Sequence, residues 1–113
     1  MPTWMTTKNG PLIAMPYNLE VNDSVIYVVE KHATSKMYQR FTNTIAALEK
    51  ESATNPRVFA LGLHPHLIGV PHRIGYLEKM VDDLLRRDDT VFMTGSQIAD
   101  WFIAAGEPPT TAD

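Results

Sequence analysis

Short apolar runs alternate along the chain with longer stretches in which apolar residues recur every three or four positions. The runs lie at residues 12–15, 58–63 and 90–93, and runs of this kind are typical of strands covered on both faces in a parallel sheet. Residues 34–51 and 73–87 instead show the period of an amphipathic helix. Strands alternating with helices predict an α/β fold with a parallel sheet.

A third helix is predicted near the end of the chain. Thr94 and Gln97 have the spacing of a capping box, apolar residues recur from Ile98 onward, and Gly106 can close the helix. Three βα units then form a partial (β/α) barrel or a small open sheet, because a closed barrel of eight units needs about 250 residues. The pattern predicts one partial-barrel domain over residues 1–106 and a flexible tail at 107–113. Residues 24–29 fit either a short strand or a packed loop.

Composition narrows the class of protein. The 113 residues are 44% hydrophobic and 20% charged, which is ordinary for a globular domain with its own core. The formal net charge of −3 gives no basic excess for nucleic acid. Cysteine is absent, which excludes disulfides and thiolate metal sites. No signal segment and no membrane-length apolar run is visible, so a cytoplasmic location without membrane association is expected.

The richest chemistry follows the second predicted strand. His64 comes directly after the apolar run, at the strand end where parallel α/β folds bind ligands, and an imidazole there can act as general acid or base. A structural histidine packed under the loop fits the same position. Another interpretation is a metal site, since His64 and His66 are two residues apart, although a third ligand would be needed. Arg73 could hold an anionic group.

A second polar group follows the first predicted strand. Tyr17, Asn22 and Asp23 lie just beyond its end, so they are candidates for the same site. Ordinary turn chemistry explains the Asn22-Asp23 pair about equally well.

The loop carrying these histidines resembles a known motif. Residues 62–73, which contain Leu63-His64-Pro65 and then Gly-Val-Pro-His-Arg, resemble the late histidine motif of NodB-homology polysaccharide deacetylases. The nearest branch contains cofactor-independent allantoinases and cytoplasmic peptidoglycan deacetylase-like proteins. Residues 16–23 and 97–102 resemble two other segments of that branch, so the resemblance covers nearly the whole chain. It implies the C-terminal part of a distorted (β/α) barrel that hydrolyses C–N bonds other than peptide bonds, in N-acetyl amino sugars or cyclic ureides.

The resemblance also implies roles for the candidate residues. His64 would be the catalytic histidine, which protonates the leaving nitrogen or stabilises the intermediate. Arg73 would be the family's loop arginine. The substrate-binding cleft would be lined by Tyr17, Asn22, Asp23, His66 and Arg73.

Two departures from the family pattern limit these expectations. Val70 replaces the usual arginine before proline, which weakens the case for an anionic substrate. The family commonly uses zinc, but its Thr-Phe-Asp-Asp-Gly and His-x-x-x-His motifs are absent here. No cofactor is therefore expected in this chain, and the chain alone is expected to be an incomplete hydrolase.

Alternative functions and partners follow from the same incompleteness. The chain could be a non-catalytic oligomeric assembly or binding module derived from this fold, or a small enzyme whose site forms across an oligomer interface. The exposed edges of a partial barrel predict a homo-oligomer, with strands paired between chains, or association with the missing N-terminal half. The expected ligand is a small molecule or an amino sugar.

Overall fold

The computed structural model describes residues 1–106 and divides them into two compact units, so the predicted tail at 107–113 lies outside the described residues. The first unit contains Met1–Pro16 and the residues from Val91 onward, and the second is Tyr17–Thr90. The elements in chain order are β1 (Thr3–Thr7), β2 (Gly10–Ala14), a π-helix (Ser24–Val29), α1 (Lys36–Ser52), α2 (Pro65–Ile68), α3 (Ile74–Leu85) and α4 (Gly95–Ala105).

The first unit contains a β-hairpin and helix α4. Strands β1 and β2 pair antiparallel from Thr3 opposite Ala14 to Thr7 opposite Gly10. Gly10 has φ +115°, a conformation that side chains with a Cβ rarely adopt, and this permits the tight turn. Helix α4 begins with the predicted capping box, in which Thr94 Oγ1 accepts from Gln97 N–H at 3.2 Å and Gln97 Oε1 accepts from Thr94 N–H at 2.8 Å.

The second unit has its own hydrophobic core, in which α1 packs on α3. Tyr38 of α1 donates a hydrogen bond to Asp83 of α3 at 2.6 Å, and this bond raises the pKa of the tyrosine. Residues 24–29, left open between strand and loop, form the π-helix, whose Ile26 and Tyr27 are buried. The core side chains are Val21, Ile26, Tyr27, Met37, Phe41, Ile68, Met80 and Leu84.

The mixed α/β class is confirmed, but three βα units are not. In the part of the chain that the structure describes, β1 and β2 are the two strands, and they form an antiparallel hairpin rather than part of a parallel sheet. Residues 58–61 and 91–93 are outside any strand. An apolar run indicates a segment that favours burial. A strand also requires a neighbouring strand with which to exchange hydrogen bonds, and the apolar run alone does not predict that neighbour.

One parallel contact of the predicted kind is present. Asn22 and Gly62 form an isolated parallel bridge. The helices at 36–52 and 74–85 agree with the predicted periodic stretches within a few residues. Over residues 1–106, none of the helices combines the length and apolar character needed to cross a membrane.

A surface ion cluster joins the end of the π-helix to α1. Arg40 contacts both carboxylate oxygens of Glu30, at 3.0 and 2.5 Å, and His32 Nε2 lies 2.9 Å from the same carboxylate. The hydrogen bonds from Arg40 are the main reason that the pKa of Glu30 falls from 4.5 to about 2.

This cluster predicts a defined pH dependence of stability. Because the folded-state pKa of Glu30 is depressed, its carboxylate stabilises the folded state above pH 4.5. This stabilisation is lost as the pH falls towards about 2. Glu30→Gln should therefore lower the urea midpoint slightly at pH 6, and the difference from wild type should shrink between pH 4.5 and about 2. Added salt should also reduce the difference, because the cluster is exposed. Glu78→Gln, at an exposed glutamate outside the cluster, is the control. An equal loss at pH 6 for both variants would contradict the prediction.

Candidate functional site

A short parallel contact brings the two predicted site segments together. Gly62 N–H donates to Val21 C=O at 3.0 Å, and Asp23 N–H donates to Gly62 C=O at 3.1 Å. Asp23 and His64 are 41 positions apart in sequence, and this pairing places them side by side. The bridge between Asn22 and Gly62 therefore brings the side chains of Asp23 and His64 together.

Asp23 is the centre of the site. Its carboxylate is fully buried and accepts three hydrogen bonds. Oδ1 pairs with His64 Nδ1 at 2.7 Å, while Oδ2 accepts from His64 N–H at 2.7 Å and from Ile68 N–H at 3.2 Å. A buried carboxylate needs such partners, because removing a charge from water without them is costly. The two bonds from backbone N–H groups also fix the start and the end of α2.

The contact between Asp23 and His64 determines the tautomer of the imidazole. An ionised carboxylate only accepts hydrogen bonds, so His64 Nδ1 carries the proton and donates it to Asp23 Oδ1. None of residues 1–106 forms a hydrogen bond with His64 Nε2, and the side chain is 39% exposed. A histidine that is oriented through one nitrogen and free at the other can accept or release a proton at Nε2.

Asn22 supports the neighbouring structure. Its side chain is buried, and Oδ1 accepts from Ser24 N–H at 3.0 Å and from Val25 N–H at 3.4 Å, at the start of the π-helix. Asn22 Nδ2 donates to the phenol oxygen of Tyr17 at 3.1 Å. This bond holds the hydroxyl group of Tyr17 in place. The side chain is otherwise exposed, so the hydroxyl group can still donate to a ligand.

Of the two remaining candidates, His66 lies in α2 and Arg73 comes just before α3. The ring of His66 meets that of His64 edge-on, with 5.9 Å between ring centroids. The Arg73 guanidinium lies over the ring of Tyr27, 4.1 Å from its centroid, and Nη1 donates to Leu67 C=O at 3.3 Å. Arg73 Nε is buried and has no partner within the described residues. Arg73 thus connects the histidine loop to the π-helix.

Substitution of Arg73 tests this connection. We expect Arg73→Ala to lower the free energy of unfolding by about 1–2 kcal/mol, because a desolvated cation–π contact and a hydrogen bond are both lost. Urea denaturation at pH 7 measures the effect. Arg86→Ala, at an exposed arginine just after α3, should change stability by less than about 0.5 kcal/mol. Equal effects of the two substitutions would show that the contact with Tyr27 contributes nothing.

Two contributors to the site were missed from the sequence. Tyr27 is one: its ring lies under Arg73 and its hydroxyl group donates to Thr34 C=O at 2.7 Å. Burial raises the pKa of Tyr27, whereas Arg73 opposes that rise, so the hydroxyl group stays a donor. Gly62 is the other, because a Cβ at this position would collide with the side chain of Asn22. A glycine inside an apolar run is the signal that could have indicated this close approach.

The side chains around His64 determine whether a metal ion can bind there. Residues 1–106 contain no group of three His, Asp, Glu or Cys side chains placed to hold an ion. Nδ1 of His64 is already engaged by Asp23, and His66 is the other histidine beside it. Since a catalytic zinc needs about three protein ligands, the donors within residues 1–106 do not fit zinc.

The fold of this chain is shared with part of two solved enzymes, a probable polysaccharide deacetylase and an allantoinase. A crystal structure of a probable polysaccharide deacetylase from Pseudomonas aeruginosa PAO1 matches 97% of this chain with a TM-score of 0.85 and 27% identity. The crystal structure of Puue allantoinase matches 97% with a TM-score of 0.87 and 26% identity. These matches confirm the resemblance found in the sequence. The chain spans 37% of the length of each neighbour.

Neither a protein-family model nor a curated protein matches the sequence of this chain significantly.

Proposed function

We propose that this chain is the part of a hydrolase that supplies the acid–base histidine, in a reaction at a C–N bond other than a peptide bond. The observation that carries the proposal is the buried carboxylate of Asp23, which orients His64 through Nδ1 and leaves Nε2 available. Two solved structures of the same fold, a probable polysaccharide deacetylase and an allantoinase, support an N-acetyl amino sugar or a cyclic ureide as the substrate class.

The chemistry assigned to His64 is proton transfer at Nε2. Cleavage of a C–N bond leaves a nitrogen that must gain a proton, and His64 delivers it from Nε2 while Nδ1 stays bonded to Asp23. Asp23 has no exposed surface, so we assign it to positioning His64 rather than to binding substrate. The carboxylate also stabilises the imidazolium whenever Nε2 is protonated.

Substrate contacts are assigned to the exposed polar groups around His64. The Tyr17 hydroxyl group, held by Asn22, and the exposed ring of His66 are suited to hydrogen-bond a sugar or ureide. Arg73 is assigned to positioning the loop, because its guanidinium is taken up by Tyr27 and Leu67.

We propose that the chain is inactive alone and that the attacking nucleophile is supplied by another part of the fold. The donor set of residues 1–106 does not fit zinc, and His64 can assist a nucleophile without replacing it. We also propose a cytoplasmic location, which the sequence predicted.

A chimera tests the proposed function. This chain would replace the matching part of the P. aeruginosa protein, and a second chimera would be built in Puue allantoinase. Hydrolysis of N-acetylglucosamine oligomers and of allantoin would be measured with added zinc. At least one chimera should hydrolyse its substrate, and His64→Gln in that chimera should lower kcat by about 100-fold or more.

The control is His72→Gln, at an exposed histidine of the same loop, which should leave kcat within about twofold. Two properly folded chimeras without activity would contradict the proposal and favour a non-catalytic module. Hydrolysis by the isolated chain would contradict the proposal that the chain is inactive alone, and it would favour a site formed between copies of the chain.

A further inference from the structure

The loop at residues 17–23, which contains three of the candidate site residues, is held from outside by helix α1. Arg40 Nη1 donates to the C=O of Glu20, in the middle of this loop, at 3.2 Å. The part of the loop after Glu20 is fixed by its hydrogen bonds with Gly62. The part before Glu20 leads back to Tyr17, whose side chain is 67% exposed. The contact with Arg40 therefore lies between a well-fixed half of the loop and an exposed half.

Two side chains outside the loop hold Arg40 in place. Its guanidinium contacts both carboxylate oxygens of Glu30, and His32 Nε2 lies 2.9 Å from the same carboxylate. The donors of a guanidinium form a fixed planar fork, so Arg40 reaches this carboxylate and the Glu20 carbonyl at once. We call Arg40, Glu30, His32 and the Glu20 carbonyl the Arg40 clamp.

A strained turn lies between Glu30 and His32. Lys31 has φ +55°, a left-handed conformation that is unfavourable for a residue with a Cβ. His32 N–H closes the turn by donating to Ile26 C=O at 2.9 Å. A strained conformation of this kind persists where the surrounding contacts determine it. The turn makes Glu30 and His32 available to Arg40 together, so it is part of the structure that supports the Arg40 clamp.

We propose that Arg40 is a positioning residue that fixes Tyr17 for contact with the substrate. This inference rests on the proposed function, in which the Tyr17 hydroxyl group binds a sugar or ureide. Arg40 holds the loop at Glu20, and Asn22 Nδ2 holds the phenol oxygen at 3.1 Å. A residue that is fixed before the substrate arrives loses less conformational entropy when the substrate binds. The Arg40 clamp therefore strengthens substrate binding.

The Arg40 clamp acts on binding rather than on proton transfer. Asp23 and His64 are joined by two hydrogen bonds of 2.7 Å that do not involve Arg40. Loss of the clamp should consequently raise KM and leave kcat almost unchanged. An exposed ion pair that serves stability alone usually contributes little. Arg40 differs from such a pair because its contacts join α1 to the loop and to the end of the π-helix.

Arg57 provides a matched control. It donates to the carboxylate of Glu51 at 2.8 Å and to the C=O of Pro56 at 3.2 Å, so it makes the same two kinds of contact as Arg40. The side chain of Arg57 is 31% exposed, close to the 28% of Arg40. Both partners of Arg57 lie within residues 51–57, so these contacts do not join separate segments.

The first measurement uses the full chain without substrate. Nitrogen-15 relaxation gives the order parameters of the amides of residues 18–20, which report motion on the ps–ns timescale. Arg40→Ala should lower them from about 0.85, typical of rigid backbone, to below about 0.6. Arg57→Ala should leave them unchanged. Arg40→Lys keeps the charge but lacks the fork, so it should give a smaller decrease, and it serves as the test if the alanine variant does not fold.

The second measurement uses the chimera that hydrolyses its substrate. Arg40→Ala should raise KM by about fivefold and leave kcat within about twofold, whereas Arg57→Ala should change neither. Unchanged order parameters, equal effects of the two alanine variants, or a lower kcat at constant KM would overturn the positioning role. The order parameters are measured without substrate. A decrease in them together with two inactive chimeras would therefore support the Arg40 clamp and count against the proposed function alone.

Discussion

Replacing Asp23 with alanine should lower the free energy of unfolding by about 3 kcal/mol, because a buried carboxylate and its whole hydrogen-bond network are lost together. The carboxylate is fully buried and accepts from His64 Nδ1, His64 N–H and Ile68 N–H. Alanine leaves His64 N–H without its acceptor and opens a cavity beside it, whereas Ile68 N–H keeps its bond to His64 C=O at 3.2 Å. Helix α2, whose two ends these donors hold in place, should become the first region to exchange its amides.

Urea denaturation at pH 7 measures this loss, with Asp88→Ala as the control at an exposed aspartate whose side chain forms no hydrogen bond in the described structure. Asp23→Asn keeps the volume and one carbonyl oxygen, so it should cost about half as much. If Asp23→Ala and Asp88→Ala reduce stability equally, the carboxylate does not organise the loop. The Asn variant also keeps the test decisive if the Ala variant fails to fold.

Replacing Gly62 with alanine should lower the free energy of unfolding by about 2 kcal/mol, within the range for overpacking. The added Cβ would lie 2.8 Å from Asn22 Cγ and even closer to Nδ2. Asn22 cannot move aside easily, since its side chain caps the π-helix and holds Tyr17. The parallel bridge between Asn22 and Gly62 would have to open, which would also move Asp23 away from His64.

Gly75→Ala is the matched control. Gly75 lies near the start of α3, and an added Cβ there would meet no atom within 4 Å. Alanine in a helix is favoured over glycine, so this variant should gain about 0.5–1 kcal/mol. Opposite signs for the two Gly→Ala substitutions in urea denaturation are the expected result. A neutral or stabilising Gly62→Ala would show that Asn22 adapts and that the close approach is not required.

The helices were the most predictable part of the fold. Periodic apolar faces lie within residues 34–51 and 73–87, and a capping box is formed by Thr94 and Gln97. The local sequence was therefore sufficient to predict these three helices. The strands were less predictable, because pairing depends on a neighbour. Residues 58–61 and 91–93 have strand composition and yet form no strand in the described structure, whereas residues 3–7 pair with 10–14 in an unexpected hairpin.

The candidate site was also only partly predictable from the sequence. The sequence by itself selected His64, Asp23, Asn22 and Tyr17, because they follow predicted strands at the ends where parallel α/β folds bind ligands. It also identified the resemblance to the deacetylase family, since the histidine loop is one continuous segment. Only the tertiary structure showed that Asp23 is buried against His64 and fixes its tautomer. Only the tertiary structure placed Arg73 on Tyr27 rather than leaving it free to bind an anion. The physical reason is distance along the chain: motifs and helical periods are local, whereas burial, strand pairing and the partners of a charge are decided by residues far apart in sequence.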